Sequence, residues 1–293
     1  MMYGIDICSY QGKPNWHKVK KAGCSFAVLK CIRKDLSPDT SFAYNVQGCV
    51  AQRIPVSVYT YVYENTEEGA VKRARAAIEA CKAHGVKNCI IWWDVEERSV
   101  FKTGVNARAK TTASILAAKK VILEAGYGFG VYCDSDFYVG MLNAEHIGGK
   151  WWIASYGPNR VTTLGQKPDR KAPKIRNEMC GWQFCSRGRV PGISGSVDLD
   201  VAFDDDFVKV VTTTVDSLPT RKMTVTNKKG ANLRELPSGE SKTVETVKKG
   251  ETIDVLHHVT ATNTVGEATE YVCVKRGGKW LWCASKLLSS FIF

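Results

Sequence analysis

The sequence predicts an α/β barrel followed by a small all-β barrel, and three observations carry that prediction. Short apolar, β-branched runs alternate with amphipathic helical stretches from residue 3 to residue 133. Three more strand-like runs then follow without comparable long helices, which brings the strands to eight, enough to close a barrel. Beyond about residue 222 the helical period vanishes, and short strand-like runs separated by turn clusters remain.

The elements follow in order. Residues 3–8, 25–31, 55–62, 88–95 and 128–133 read as strands because they concentrate β-branched and aromatic side chains. Residues 15–22 read as a helix behind Pro14, a good first-turn residue, and residues 40–52 as a helix capped by Asp39. The helix over 67–84 has Asn65 and Thr66 as cap candidates. The helix over 107–125 follows Asn106 and stops at Gly126. Later strands are expected at 151–155, 180–185 and 196–202. βα alternation implies a parallel sheet covered by helices, and a barrel places its site at the carboxyl ends of the strands. An open doubly wound sheet is the alternative, but no Gly-rich phosphate loop follows the first strand. The expected domains are 1–208, a linker over 209–222, and a β-rich domain over 223–293, with turns at Asn227-Lys-Lys-Gly230 and Gly277-Gly278.

Composition narrows the function. The net charge is +12, read as +5 in residues 219–293 and +7 spread over the rest, which favours polyanions without the dense basic stripe of a nucleic-acid binder. No nucleic-acid partner is therefore expected. Eleven cysteines occur with no CxxC pair, and His17, His84, His146, His257 and His258 show no zinc spacing. Free core thiols are expected, with no metal and no cofactor. The first residues, Met-Met-Tyr-Gly-Ile-Asp, lack the basic and apolar regions of a secretory signal, and no stretch of eighteen apolar residues occurs. The reading is a soluble protein made in a bacterial cytoplasm, with no stable membrane insertion. A substrate outside the membrane then requires release through a lesion such as one opened by a holin.

The chemistry concentrates in carboxylates. Asp94 and Glu96 follow the apolar run Ile90-Ile-Trp-Trp and share a strand face, since alternate residues point the same way. Two carboxylates close together in an apolar setting shift each other's pKa, so that one keeps its proton near neutrality as a general acid. Hydrogen bonding of both to neighbouring loops is the plain structural alternative. Asp6 interrupts the first strand, and Asp198 and Asp200 repeat the two-residue spacing in the last. In a barrel these acids meet at one mouth, and that convergence favours catalysis. Tyr59, Tyr61, Tyr63, Trp92, Trp93, Trp151, Trp152 and Trp182 lie near the same strand ends. Taken together they point to a carbohydrate, although about half should face the helices. No Gly-x-Ser-x-Gly elbow exists, and no local feature pairs Cys8 or Cys133 with His17 or His146.

These residues resemble the family 25 glycoside hydrolases, the Chalaropsis-type lysozymes that include many phage endolysins. The matching pieces are Gly4-Ile-Asp6, Phe26-Ala-Val-Leu-Lys30, Trp93-Asp94-Val-Glu96, Trp152-Ile-Ala-Ser-Tyr156 and Trp182-Gln-Phe, followed by Gly188-Arg-Val-Pro-Gly192-Ile-Ser-Gly195-Ser-Val-Asp198-Leu-Asp200. The resemblance implies a (βα)5β3 TIM-like barrel that hydrolyses the β-1,4 bond between N-acetylmuramic acid and N-acetylglucosamine. It assigns Glu96 as proton donor with Asp94 beside it, and Asp6 and Asp198 as further catalytic acids. The expected substrate contacts are Tyr61, Tyr63, Tyr132, Trp152, Gln183 and Asp200. A covalent intermediate and one formed by the sugar's acetamido group both stay open, with the acetamido route and Asp94 as its stabiliser preferred. The chain departs from the pattern at Cys8, where relatives often have Ser, and at Cys31-Ile-Arg33, where they often have Thr-Glu-Gly.

The C-terminal region resembles bacterial SH3-type wall-binding domains in Asn232-Leu-Arg-Glu-Leu-Pro-Ser238, Val247-Lys-Lys-Gly250 and Trp280-Leu-Trp282-Cys-Ala-Ser-Lys-Leu-Leu288. That resemblance implies a small SH3-like barrel with Tyr271, Trp280 and Trp282 lining a groove for the peptide stem or cross-bridge, with Trp282 equally a candidate for the core. The partner of the whole chain is then bacterial peptidoglycan, and the reading is a lysozyme of the phage endolysin kind. A chitinase-like hydrolase on the same barrel and a non-catalytic wall-binding protein are the rivals. The chitinase signature DxxDxDxE is absent, and intact Asp6, Asp94, Glu96 and Asp198 argue against a decayed site.

Overall fold

The computed structural model describes residues 1–208, 221–235, 239, 241–262, 268–277 and 279–289. The chain divides into two compact units, Met1–Thr213 and Thr214–Phe293. Most of the expected linker lies outside the described residues, and its last two residues belong instead to a strand.

In the first unit β1 (Met2–Ile7), α1 (Trp16–Lys21), β2 (Phe26–Lys30), α2 (Phe42–Ala51), β3 (Val56–Tyr61), α3 (Glu67–Ala83), β4 (Ile90–Asp94), α4 (Val105–Glu124) and β5 (Gly128–Asp134) follow in turn. Two short helices, α5 (Ser135–Gly140) and α6 (Ala144–Ile147), stand in place of a fifth long one. They lead to β6 (Lys150–Ala154), a two-residue β7 (Thr162–Thr163), β8 (Glu178–Arg189) and β9 (Val197–Ala202). β1 to β6 pair in parallel in sequence order, and β6 pairs in parallel with β8. β9 runs antiparallel to both β8 and β1 and closes the eight-stranded ring. The parallel pairing that the βα alternation implies holds for every strand of the ring but this one. Because β9 is reversed, its beginning, not its carboxyl end, lies beside the end of β1.

Local chemistry sets most boundaries. Thr66 caps α3, its hydroxyl accepting from the Gly69 N–H at 3.2 Å, and Asp134 caps α5 by accepting from the Phe137 N–H at 2.7 Å. The expected caps at Asp39 and Asn106 shift: α2 starts behind Ser41, whose hydroxyl and N–H both bond Asp39, and α4 starts at Val105 behind Gly104. Arg73 of α3 is fully buried. It donates to Glu64 twice, to the carbonyls of Arg33 and Lys34, and to Thr60, so α3 is tied to the loops that follow β2 and β3.

The barrel interior is aromatic. Phe207, from the turn after β9, packs against Phe26, Trp92 and Trp152 at centroid distances of 5.3, 4.8 and 5.7 Å. Glycines on the strands make room for these rings. A Cβ on Gly130 would lie 2.2 Å from the Trp92 ring, and one on Gly181 would lie 2.2 Å from Phe207. All eleven cysteines are free and buried, as the apolar runs around them imply. No helix among the described residues is long and apolar enough to cross a membrane.

The second unit contains β10 (Arg221–Thr224), β11 (Ala231–Arg234), β12 (Thr243–Val247), β13 (Thr252–Thr262), β14 (Ala268–Arg276) and β15 (Lys279–Ala284). They form an antiparallel sheet in the order β10-β13-β14-β15-β11-β12 around a core that includes Leu233, Ile253, Val272 and Leu281. Among the described residues no strand pairing joins β10 to β12, so the sheet is six-stranded and open in its pairing order where a closed barrel was expected.

Substituting Gly130→Ala forces a methyl group into the Trp92 ring and should cost about 1–3 kcal/mol of stability by overpacking. A denaturant midpoint unchanged from the parent chain would contradict this account of the interior.

Candidate active site

One cleft of about 310 Å³ opens at the end of the barrel where β1 to β6 and β8 finish. Asp6, Asp94, Glu96 and Asp198 all line it, together with Tyr61, Tyr132, Trp152 and Gln183. Register explains the convergence. Asp6 sits opposite Asp198 in the β1–β9 ladder, and Asp94 sits between Tyr61 of β3 and Tyr132 of β5. Glu96 lies two residues past β4, but the Val95 N–H still donates to the Tyr132 carbonyl at 2.9 Å. The extended backbone therefore persists, and Glu96 keeps the inward parity of Asp94.

Gln183 of β8 organises the floor. Its side-chain oxygen accepts from the hydroxyls of Tyr132 at 2.8 Å and Tyr156 at 2.5 Å, and its amide donates to the Asp6 carboxylate at 2.6 Å. With both lone pairs of that oxygen engaged and the amide nitrogen on Asp6, a flip would disturb all three bonds. Asp200 lies below the cleft, fully buried, and accepts from the Trp152 indole N–H at 3.0 Å. The expectation that Asp200 touches substrate is corrected: it supports Trp152 and Asp6 from beneath.

Burial dominates the electrostatics. Glu96 is raised from its ordinary 4.5 to about 7, first by desolvation and then by Asp134 and Asp198. Asp198 is raised from 3.8 to about 6 by desolvation. Asp6 is pushed well up by burial, then by the charges of Asp198 and Asp200. Asp200 is raised likewise, first by burial and then by Asp198. Asp94 is also raised, by burial and by Glu96, and Lys30 opposes this. One Asp94 oxygen, Oδ1, is buried with no hydrogen-bond partner among the described residues. A buried acceptor left open costs free energy unless a ligand donor fills it.

Other expected residues fall differently. Tyr63 does not line the cleft. Its ring packs on Tyr61 at 4.7 Å, with Lys34 and Arg73 over it, because the odd-numbered tyrosines of β3 continue past the strand end onto the rim. Trp93 and Trp151 are core, Trp92 fills the barrel interior, and Trp182 donates to the Ser155 carbonyl. Trp152 lines the cleft but is only 1% exposed. In the second unit Tyr271 and Trp282 are 6% and 4% exposed, so neither offers the open aromatic face expected of a groove. Alternation along a short strand does not distinguish a wet face from a covered one. The Trp280 side chain lies outside the described residues.

Sequence reasoning passed over Lys30, Tyr156, Tyr10, Gln11 and Ser186, which also line the cleft. Lys30 had a signal, a cation ending an apolar strand as Asp6 interrupts one. It stands 5.9 and 5.6 Å from the ring centres of Tyr59 and Tyr61. Tyr10, 91% exposed at the cleft edge, had none.

Comparison with known proteins places this arrangement. The family described as Glycosyl hydrolases family 25 matches residues 5–193. The chain is similar to the autolytic lysozyme of Clostridium acetobutylicum, 25% identical over 199 residues, covering 68% of this chain and 55% of that relative. The chain thus spans little more than half of that protein's length. Among solved structures it is similar to the catalytic domain of endolysin ply40 from bacteriophage P40 of Listeria monocytogenes, with a TM-score of 0.57 at 22% identity over 71% of this chain and 96% of that one. It is also similar to the modular autolysin LytC of Streptococcus pneumoniae in complex with a synthetic peptidoglycan ligand, with a TM-score of 0.55 at 24% identity over 69% and 46% of the two chains. At these identities the structures establish a shared fold.

The raised carboxyls have a thermodynamic signature. The folded chain binds Glu96 and Asp198 protons more tightly than the unfolded chain, so the stability these groups contribute falls as pH rises from about 4 through about 7. The substitution Glu96→Gln removes one such group and should stabilise the protein at pH 8 by up to about 3 kcal/mol, with little effect at pH 4. Thermal unfolding at the two pH values tests this, and equal shifts at both would refute it.

Proposed function

The chain belongs to glycosyl hydrolase family 25, and from that premise we propose that it is a peptidoglycan N-acetylmuramidase. It hydrolyses the β-1,4 bond between N-acetylmuramic acid and N-acetylglucosamine. The observation that carries this reading is a carboxyl raised to about 7, Glu96, in one cleft with the unpartnered Asp94 oxygen. Such an acid is still largely protonated near neutrality and close enough in pKa to give its proton up, the condition for efficient general acid catalysis.

The steps follow from the residues. Glu96 gives its proton to the glycosidic oxygen as the bond to the anomeric carbon breaks. Positive charge grows on that carbon and its ring oxygen. The carbonyl oxygen of the sugar's own acetamido group bonds to the carbon, and the acetamido N–H is donated to the open Asp94 oxygen. An N–H donor and a neighbouring cation both draw Asp94 toward its ionised form, against burial and the charges of Glu96 and Asp6. Glu96, now ionised, takes a proton from the water that opens the intermediate. Asp198 adds negative potential on the opposite wall, and Gln183 holds Asp6 beside it in place. Tyr10, Tyr61 and Tyr156 supply stacking faces and hydroxyls for the sugars.

We further assign the second unit to holding the enzyme on the wall, where tethering raises the local substrate concentration. We keep release by a phage as the proposed setting of this activity.

The variant Glu96→Gln should lose about 10²–10⁴-fold in wall hydrolysis, read as new reducing ends from purified peptidoglycan. For the parent enzyme kcat/KM should decline above about pH 7, as the donor loses its proton. New free amines without reducing ends would instead mark a peptidase or amidase.

A further inference from the structure

The charge of the chain is less evenly spread than its composition suggests. Residues 159–189 hold eight basic and two acidic side chains, half of the net +12. Three of these cations, Arg160, Lys167 and Arg170, line a second hollow of about 200 Å³ that shares Tyr156 with the acid cleft. Asp169 is its one carboxylate. Among the described residues none of the three cations is held in an ion pair.

The hollow is built in advance. The Asn159 side chain accepts from the Ser186 N–H at 3.0 Å and donates to the Ser186 hydroxyl at 2.8 Å, and Ser186 itself lines the acid cleft. The Cys185 thiol donates to the Arg160 carbonyl at 3.4 Å. Across the loop the Gln166 side chain accepts from the Thr163 N–H at 2.8 Å. Gly157 has φ +59, and a Cβ there would lie 2.8 Å from Arg170 Cδ, so the Arg170 stem rests on backbone next to Tyr156. The loop therefore presents its cations from a hydrogen-bonded frame, which lowers the ordering cost of binding.

We propose that this hollow receives the carboxylate-bearing peptide stem carried by the muramic acid ring, and so selects stem-bearing glycan over bare glycan. The inference rests on the muramidase reading. The pyranose rings are uncharged and a stem-free strand carries only the lactyl carboxylate held at the ring, so cations set beyond the acid cleft discriminate through the carboxylates further along the stem. The stem begins on the ring itself and carries carboxylates, which a guanidinium fork matches in shape and charge. A volume of about 200 Å³ admits one carboxylate-bearing residue of that stem.

The test compares parent enzyme and the variant R160A/K167A/R170A on two substrates: walls stripped of teichoic acid that retain their stems, and the same strands freed of stems by an amidase. Each partly exposed charge pair contributes a few-fold at most, so the ratio of kcat/KM on stem-bearing to stem-free glycan should fall about tenfold in the variant. The charge-preserving variant R160K/K167R/R170K should keep most of it. In the parent, added salt should lower the same ratio, a measurement independent of how the variants fold. An unchanged ratio overturns the proposal, as does an equal loss on both substrates, which would make the patch a general polyanion attractor. A loss seen only on walls that retain teichoic acid overturns it in favour of phosphate recognition. Release of reducing ends from stem-free glycan by the parent keeps the muramidase reading standing whatever the ratio does.

Discussion

Desolvation of carboxylates is the constraint on which the site depends. Asp6, Asp94, Glu96, Asp198 and Asp200 gather at or just beneath one barrel mouth, and Lys30 is the basic residue that lines it. Removing charged groups from water is costly, and a buried carboxyl that finds no cation keeps its proton instead. The site is thus a store of protons held near the pH at which they are useful. Glu96 and Asp198 are raised to about 7 and about 6, while burial pushes Asp6 on the cleft wall and Asp200 beneath it well up. Gln183 keeps the arrangement from rearranging, since turning its amide would unmake bonds to Tyr132, Tyr156 and Asp6 together.

The rest of the barrel serves this arrangement by being rigid where the acids are not supported. Trp92, Trp152, Phe26 and Phe207 fill the interior below the cleft, and strand glycines give those rings their space. Trp152 links the two levels: its ring is packed with Trp92 and Tyr132, and its N–H holds Asp200. The reversal of β9 is equally consequential. An antiparallel closing strand brings its first residues to the catalytic rim, and the two-residue period then sets Asp198 in the cleft and Asp200 one layer deeper.

Much of this was legible in the residues. Period and composition located the strands and long helices of the barrel, and the interruption of apolar runs by Asp6, Asp94 and Asp198 marked the mouth before any coordinates did. Parity also carried over to Glu96, because ladder bonding outlasts β4. Depth was not legible. Asp198 and Asp200 have the same parity, and only the register with Gly4 and Asp6 separates a cleft wall from a buried floor. Tyr61 and Tyr63 share parity as well, yet the chain leaves the barrel between them. The direction of β9 was hidden because a short apolar strand reads alike in either sense. The basic loop over residues 159–189 was hidden because its cations are spaced irregularly and meet only when the loop folds back on Asn159 and Ser186. In the second unit, Tyr271 and Trp282 looked like groove aromatics and are core, since a small sheet needs large side chains to cover itself.

The eleven sealed thiols have a consequence beyond packing. No disulfide braces this fold, which rests on packing and hydrogen bonds instead. Oxidants reach most of these sulfurs only when the protein transiently opens, so chemical ageing should track unfolding and not mere contact with air. Cys8 and Cys185 stand apart, the first on the wall of the acid cleft and the second in the basic hollow, where damage would be felt at the working surface first.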